Sequence, residues 1–215
     1  MTHFKSLPYL VALILVSCSS KTTEPTDNTS NNFIPLKIGN IWNYNSEMYD
    51  STGSSIGVWS DTVKIIGDTT INGELWYWSY SRFHDGISTS LAKVSSSGYL
   101  VYDSQVLINS GVLRYKYPGS VGETYLVKMQ FIDSLYSYSR QIMSVNANVT
   151  VPSGTYSCYL YYNARLRLTD FAEVLEAEYY ICPGMGIVRQ NFYKTTKSGL
   201  RYLQSKSELK RVVIQ

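Results

Sequence analysis

Residues 155–168, Thr155-Tyr-Ser-Cys-Tyr-Leu-Tyr-Tyr-Asn-Ala-Arg-Leu-Arg-Leu168, decide the fold class. Tyr156, Cys158, Leu160, Tyr162, Ala164, Leu166 and Leu168 hold alternate positions. Ser157, Tyr159, Tyr161, Asn163, Arg165 and Arg167 hold the others. A period of two over that length specifies a strand with one face in a core and one in solvent. The first set is the more apolar, so it is expected inside. Tyr159 and Tyr161 are then expected on the outer face.

The rest of the chain agrees. Of 215 residues, 20 are Tyr and 4 are Trp, types that favour pleated, half-buried surfaces. Turn signals recur at short intervals, among them Asn72-Gly73, Asp85-Gly86, Ser97-Gly98, Pro152-Ser-Gly154, Pro183-Gly184 and Ser198-Gly199. Asn72-Gly73 lies between two apolar runs, as a tight type I′ hairpin requires. The expected fold is all-β: a single curved antiparallel sheet, half-barrel or sandwich, with little helix. One stretch competes as a helix, Asp170-Phe-Ala-Glu173, which has the form of a capping box. It is short and is read as a turn.

Two segments echo one another. Pro35-Leu-Lys-Ile-Gly39-Asn-Ile-Trp42 and Pro118-Gly-Ser-Val-Gly122-Glu-Thr-Tyr125 share Pro-x-x-[Ile/Val]-Gly-x-x-aromatic. Such a pattern makes a corner, with an aromatic entering the core as the next strand begins. Two corners of a duplicated β unit are the expected reading, and a ligand rim is the other. Trp42 and Tyr125 should both be largely buried.

The N-terminus carries a different kind of signal. Lys5 precedes an apolar run from Leu7 to Val16, followed by Leu15-Val-Ser-Cys18. The run is too short to span a bilayer, which takes roughly 20 residues. The order is that of a secretion signal. The box resembles the processing site of bacterial lipoproteins, which implies cleavage before Cys18 and lipid on that residue. By the sorting rule of such proteins, Ser19 after the cysteine favours the outer membrane. Residues 1–17 are thus expected to be a signal peptide. Residues 18–32 are expected to be the lipidated Cys and a flexible tether, because SSKTTEPTDNTSNN has no large apolar side chain. Residues 33–215 are expected to be one antiparallel β domain, long enough for a real core.

The mature segments also resemble a group of secreted β-rich bacterial lipoproteins. The resemblance rests on Pro35-Leu-Lys-x-Gly-Asn-x-Trp42, Val151-Pro-Ser-Gly-Thr-Tyr156 and Tyr179-Tyr-x-x-Pro-Gly-Met-Gly186-Ile-Val. It implies a curved antiparallel sheet, more distantly similar to the half-barrel lipoprotein carriers LolA and LolB. It brings no catalytic residues.

Charge and motifs exclude more than they assign. The chain has 19 Lys and Arg against 16 Asp and Glu, a net charge of +3, and the leader removes only Lys5. Nothing in that balance invites nucleic acid. The chain has two His, of which only His84 follows the leader, in the turn-like Arg82-Phe-His-Asp85-Gly86. No Gly-x-Ser-x-Gly elbow presents a serine to it, and no phosphate or calcium loop occurs. No metal site and no cofactor are expected. Glu173, Glu176 and Glu178 are close in sequence, but a glycosidase needs two carboxyls facing one cleft. They are read as surface ion pairs with Arg165 and Arg167. Candidate ligand contacts are aromatic: Trp76 and Trp78, which share a strand face opposite Tyr77, and Tyr159 and Tyr161. An exposed aromatic row stacks on sugar rings, and a buried one is core.

Cys158 and Cys182 invite a disulfide in an oxidising compartment. Direct pairing of the two puts Glu176 and Glu178 on the Cys158 face. A slip of one residue puts Leu175, Ala177, Tyr179 and Ile181 there instead. The slipped register, with free thiols, is the expected one. In function the sequence points to a non-catalytic, membrane-anchored binding or structural module, held by its N-terminal lipid. Its partner would be envelope polymer, lipid or protein. A hydrophobic-ligand or lipid carrier and an envelope hydrolase are the alternatives.

Overall fold

The structure, a computed structural model, describes residues 33–102, 111–131, 134–167 and 175–215. The leader, Cys18, the tether and the Asp170–Glu173 stretch lie outside them. The described residues form strands and turns with no helix. The first six strands are β1 (Ile41–Tyr49), β2 (Ser55–Ile71), β3 (Glu74–Phe83), β4 (Gly86–Ser95), β5 (Gly98–Tyr102) and β6 (Val112–Lys116). The second six are β7 (Thr124–Phe131), β8 (Ser134–Val151), β9 (Gly154–Arg167), β10 (Leu175–Cys182), β11 (Gly186–Thr195) and β12 (Arg201–Val213). They make one antiparallel sheet in the order β6-β5-β4-β3-β2-β1-β12-β11-β10-β9-β8-β7. Each six is a meander, and the ladder between β1 and β12 joins them. The sheet curls into a nearly closed barrel. The expected single curved antiparallel sheet is thus present, and its curl brings β6 and β7 together at a seam.

Asn72-Gly73 makes the hairpin that its sequence predicts. Both residues have positive φ, 52° and 79°, as a type I′ turn between Ile71 and Glu74 requires.

The two echoing corners are the same structure twice. Gly39 N–H donates to the Ile65 carbonyl at 2.9 Å, and Ile65 N–H donates back to Asn40 at 3.0 Å. Gly122 N–H donates to the Ile142 carbonyl at 2.8 Å, and Ile142 N–H donates back to Glu123 at 2.9 Å. Ile65 on β2 and Ile142 on β8 are both buried, and a register shift begins at each. The repeat thus extends beyond the eight matching residues to a bulged strand in each half. Trp42 is buried as expected, but Tyr125 is only half-buried. The difference follows from position: β1 has a ladder partner on both sides, whereas β7 lies at the seam.

At that seam side chains do what a ladder does elsewhere. The Tyr125 hydroxyl accepts the Lys116 N–H at 3.0 Å and donates to the Arg114 carbonyl at 3.2 Å. From β9 the Tyr161 hydroxyl donates to the Lys116 carbonyl at 2.6 Å. Val112 packs on Val127, and Lys116 pairs with Glu123. Edge groups of β6 that would template another chain are thereby occupied.

The expected faces of β9 are reversed where the barrel interior lies. Tyr161 is fully buried and Asn163 nearly so, whereas Leu160 and Tyr162 are only half-buried. Tyr159 and Tyr161 point inward with Phe33, Tyr115 and Ile181. This half of the interior is filled by phenols and polar groups that find one another. Arg140, itself buried, donates through Nε to Asn163 and lies over the rings of Tyr115 and Tyr179 at 4.4 and 5.4 Å. Apolar side chains such as Val58, Ile87 and Leu126 stand outside.

The cysteine register is also corrected. β9 and β10 pair as Ile181↔Tyr159, Glu178↔Tyr162 and Glu176↔Ala164, the direct register and not the slipped one. The carboxylates that argued against it are on the outer face and engaged. Glu178 accepts Asn191 Nδ2 and the Tyr193 hydroxyl, each at 2.9 Å, and Glu176 pairs with Arg201. Cys158 and Cys182 are free thiols in mutual hydrogen-bond contact. That contact, with burial, pushes the Cys158 thiol far up. The same contact holds Cys182 below the usual thiol value.

Candidate functional site: a cavity inside the barrel

One end of the barrel is plugged. The segment before β1 turns inward, and Phe33 stacks on Tyr117 at 4.3 Å between ring centroids, with planes 9° apart. Asn40 is fully buried; its Nδ2 donates to the Pro35 carbonyl and its Oδ1 accepts the Gln215 N–H, both at 2.8 Å. Ile34 and Leu36 from this plug form the floor of a cavity of about 450 Å³. That volume is in the range of small-molecule sites.

The walls come from both halves of the sheet. Trp42, Tyr44, Val63, Ile65 and Ile187 line the lower part. Trp42 Nε1 donates to the Met185 carbonyl at 2.7 Å, and the Tyr44 hydroxyl donates to Ile187 at 3.0 Å, so both rings are fixed. Burial raises the phenol pKa of Tyr44, and that of Tyr99 to about 12, so both are neutral at ordinary pH. Ser79, Ser81, Ser90, Ser205, Ser207 and Gln190 add hydroxyl and amide groups to the lining. The mouth is at the opposite end from the plug, at Phe83, His84 and Asp85 in the β3–β4 turn. His84 lies against Trp59, ring centroids 4.1 Å apart.

Asp61 is the charged centre of this lining. It is 5% exposed. Its Oδ2 accepts Ser46 Oγ at 2.5 Å and Trp59 Nε1 at 3.1 Å. Ser46 Oγ lies 2.7 Å from Ser207 Oγ, which extends the chain of hydroxyls onto β12. Among the described residues no group of three or more His, Cys, Asp or Glu is placed to hold a metal.

The aromatic residues singled out from the sequence do not converge here. Tyr159 and Tyr161 face inward but belong to the packed half, where Tyr161 holds the seam. Trp76 is fully buried on the opposite face from Tyr77, with the Lys93 ammonium 4.7 Å from its ring and Tyr102 edge-on. Trp78 is partly exposed on that outer face. His84 is in a turn, as expected, and that turn is the cavity rim. Sequence reading missed Trp59 and Asp61. The signal was present in Trp59-Ser-Asp61-Thr-Val63-Lys-Ile65: a period of two that places an aspartate on the apolar face.

No family model matches the chain, and no curated protein sequence matches it. Two solved structures are similar in shape. A protein from Bacteroides fragilis, described as exported and of YmcC-like fold, gives a TM-score of 0.54 at 14% identity, over 84% of this chain and 98% of that one. A protein from Parabacteroides distasonis, described as a lipoprotein, gives 0.47 at 14% identity with the same coverage. At this identity the first likeness establishes the fold: this chain is an all-β barrel of the YmcC-like kind.

Proposed function

We propose that this is a lipid-anchored protein of the cell envelope, held through Cys18 in the outer membrane, and that its barrel is a non-catalytic binding module. The observation that carries the binding role is the cavity, closed at one end by the plug and open at the other. Its lining supports capture of a molecule with an apolar body and a polar end. The walls combine aromatic and aliphatic side chains with hydroxyls, and the buried carboxylate of the lining is braced by Ser46 and Trp59. Such a lining orients a guest through few polar groups and gains affinity from apolar contact. The plug begins directly after the expected tether, so the tether joins the barrel at its closed end.

The carboxylates read as a conceivable hydrolytic pair support no separate site. Glu176 and Glu178 are engaged on the outer face. Labelling cells with a fatty-acid probe, followed by membrane fractionation, tests the anchor. Label and envelope residence should be lost in Cys18→Ala, and equal labelling of the variant would overturn the assignment. Calorimetric titration with small apolar molecules tests the module, and silence across all of them would overturn it.

A further inference from the structure

The cavity contains a carboxylate that the protein satisfies on one side only. Both donors to Asp61, Ser46 and Trp59, go to Oδ2. Oδ1 is buried and has no partner. A buried carboxylate oxygen without a donor is costly, and native proteins rarely leave one so. No Lys or Arg of the lining balances Asp61, and the other titratable side chains at the cavity mouth are Asp85 and His84.

The surroundings define what balances that carboxylate. Trp59, Tyr44 and Val63 line the cavity with Asp61. Aromatic faces around a carboxylate attract cations, and a charged N–H donor makes the stronger hydrogen bond to a carboxylate. A free fatty acid or other anion meets like charge. A neutral alcohol supplies a donor but no compensation of charge. A quaternary ammonium supplies charge but no N–H donor for a carboxylate.

We propose that the cavity takes a small organic cation, a protonated primary or secondary amine on an apolar or aromatic body. Its ammonium faces the Asp61 carboxylate, and its body rests on Trp42 and Ile65 above the plug. This rests on the cavity being a ligand site, as proposed above, and narrows that reading to one class of charge.

Three probes with one ring system separate the two ideas: tryptamine (a cation), tryptophol (neutral) and indolepropionate (an anion). They are titrated calorimetrically into the mature lipidated protein in non-ionic detergent, with detergent blanks subtracted. Tryptamine should bind about tenfold or more tighter than tryptophol, the scale of a charge-assisted bond to a desolvated carboxylate. Indolepropionate should be weakest, and Asp61→Asn should bring tryptamine down to the level of tryptophol. Equal or tighter binding of tryptophol or indolepropionate would overturn the cation assignment and leave the binding module standing. Failure of all three to bind would overturn both. Should the Asn variant be unstable, the ranking on the wild-type chain decides alone.

Discussion

The Tyr125 hydroxyl takes the Lys116 N–H at 3.0 Å and returns its own proton to Arg114 at 3.2 Å, so one phenol bridges two strands that share no ladder. With Tyr161 on the Lys116 carbonyl, both backbone groups of that residue are satisfied by side chains. The barrel is closed by tyrosines where the sheet ends.

Tyr125→Phe keeps the ring and removes the bridge. It should destabilise the fold by about 1–3 kcal/mol, the cost of leaving a buried backbone group without its partner. Urea unfolding of the full chain measures it. Combined with Tyr161→Phe the loss should differ from the sum, because both phenols serve Lys116. An unchanged midpoint in the single variant would mean that the seam is held by packing alone.

Trp42 is the counterpart of Tyr125 in the other half, and it is placed very differently. It is 3% exposed, hydrogen-bonded to Met185 and packed among Val149, Val188 and Leu209. Trp42→Ala should cost about 3–5 kcal/mol, as for other large buried aromatics. Tyr125→Ala, at a half-buried site, should cost less. The reverse order in denaturant melts would contradict the packing described.

The phenols also set an alkaline limit. Burial raises Tyr99 to about 12 and raises Tyr44, Tyr115 and Tyr161 further. In the unfolded chain tyrosine ionises near pH 10. Folded values above unfolded ones mean that stability is intact below about pH 10 and falls as pH rises through the folded values. Phenolate absorbance and far-ultraviolet circular dichroism, followed together, should change together for this group. Complete tyrosine ionisation with the β signal intact would contradict it.

Much of the architecture was legible in short patterns. Asn72-Gly73 forced its hairpin by backbone conformation alone, and Pro-x-x-[Ile/Val]-Gly-x-x-aromatic marked the repeat because the same corner needs the same residues. The faces of β9 were not legible. Its tyrosines and Asn163 look like a solvent face, and they become interior because each meets a partner across the barrel: Tyr161 with Lys116, Asn163 with Arg140. A polarity pattern cannot announce partners that are distant in sequence. The cysteine register failed for a related reason. Glu176 and Glu178 looked too costly for the face they occupy, but that face is the outside, where Arg201, Asn191 and Tyr193 receive them. Asp61 was overlooked because an aspartate in a strand reads as surface unless its neighbours at a period of two are weighed.

The thiols of Cys158 and Cys182 are already in contact. A thiol oxidant should therefore join them within one chain, closing a loop of the size for which about 3 kcal/mol is expected. Intact mass after alkylation, before and after reduction, reads it. Neither cysteine of the oxidised, denatured monomer should alkylate until it is reduced. Alkylation of both without reduction would show that they do not meet.

The central claim is that the cavity above the plug is a ligand site. Native mass spectrometry of the protein released gently from envelope membranes tests it most directly, with Ser81→Trp as the partner measurement because Ser81 lines the cavity and a bulky indole there takes up part of its space. The wild-type chain should carry a small non-covalent mass beyond its lipid, and the Trp variant should not. A wild-type mass that equals chain plus lipid alone, with nothing further bound, would contradict the account.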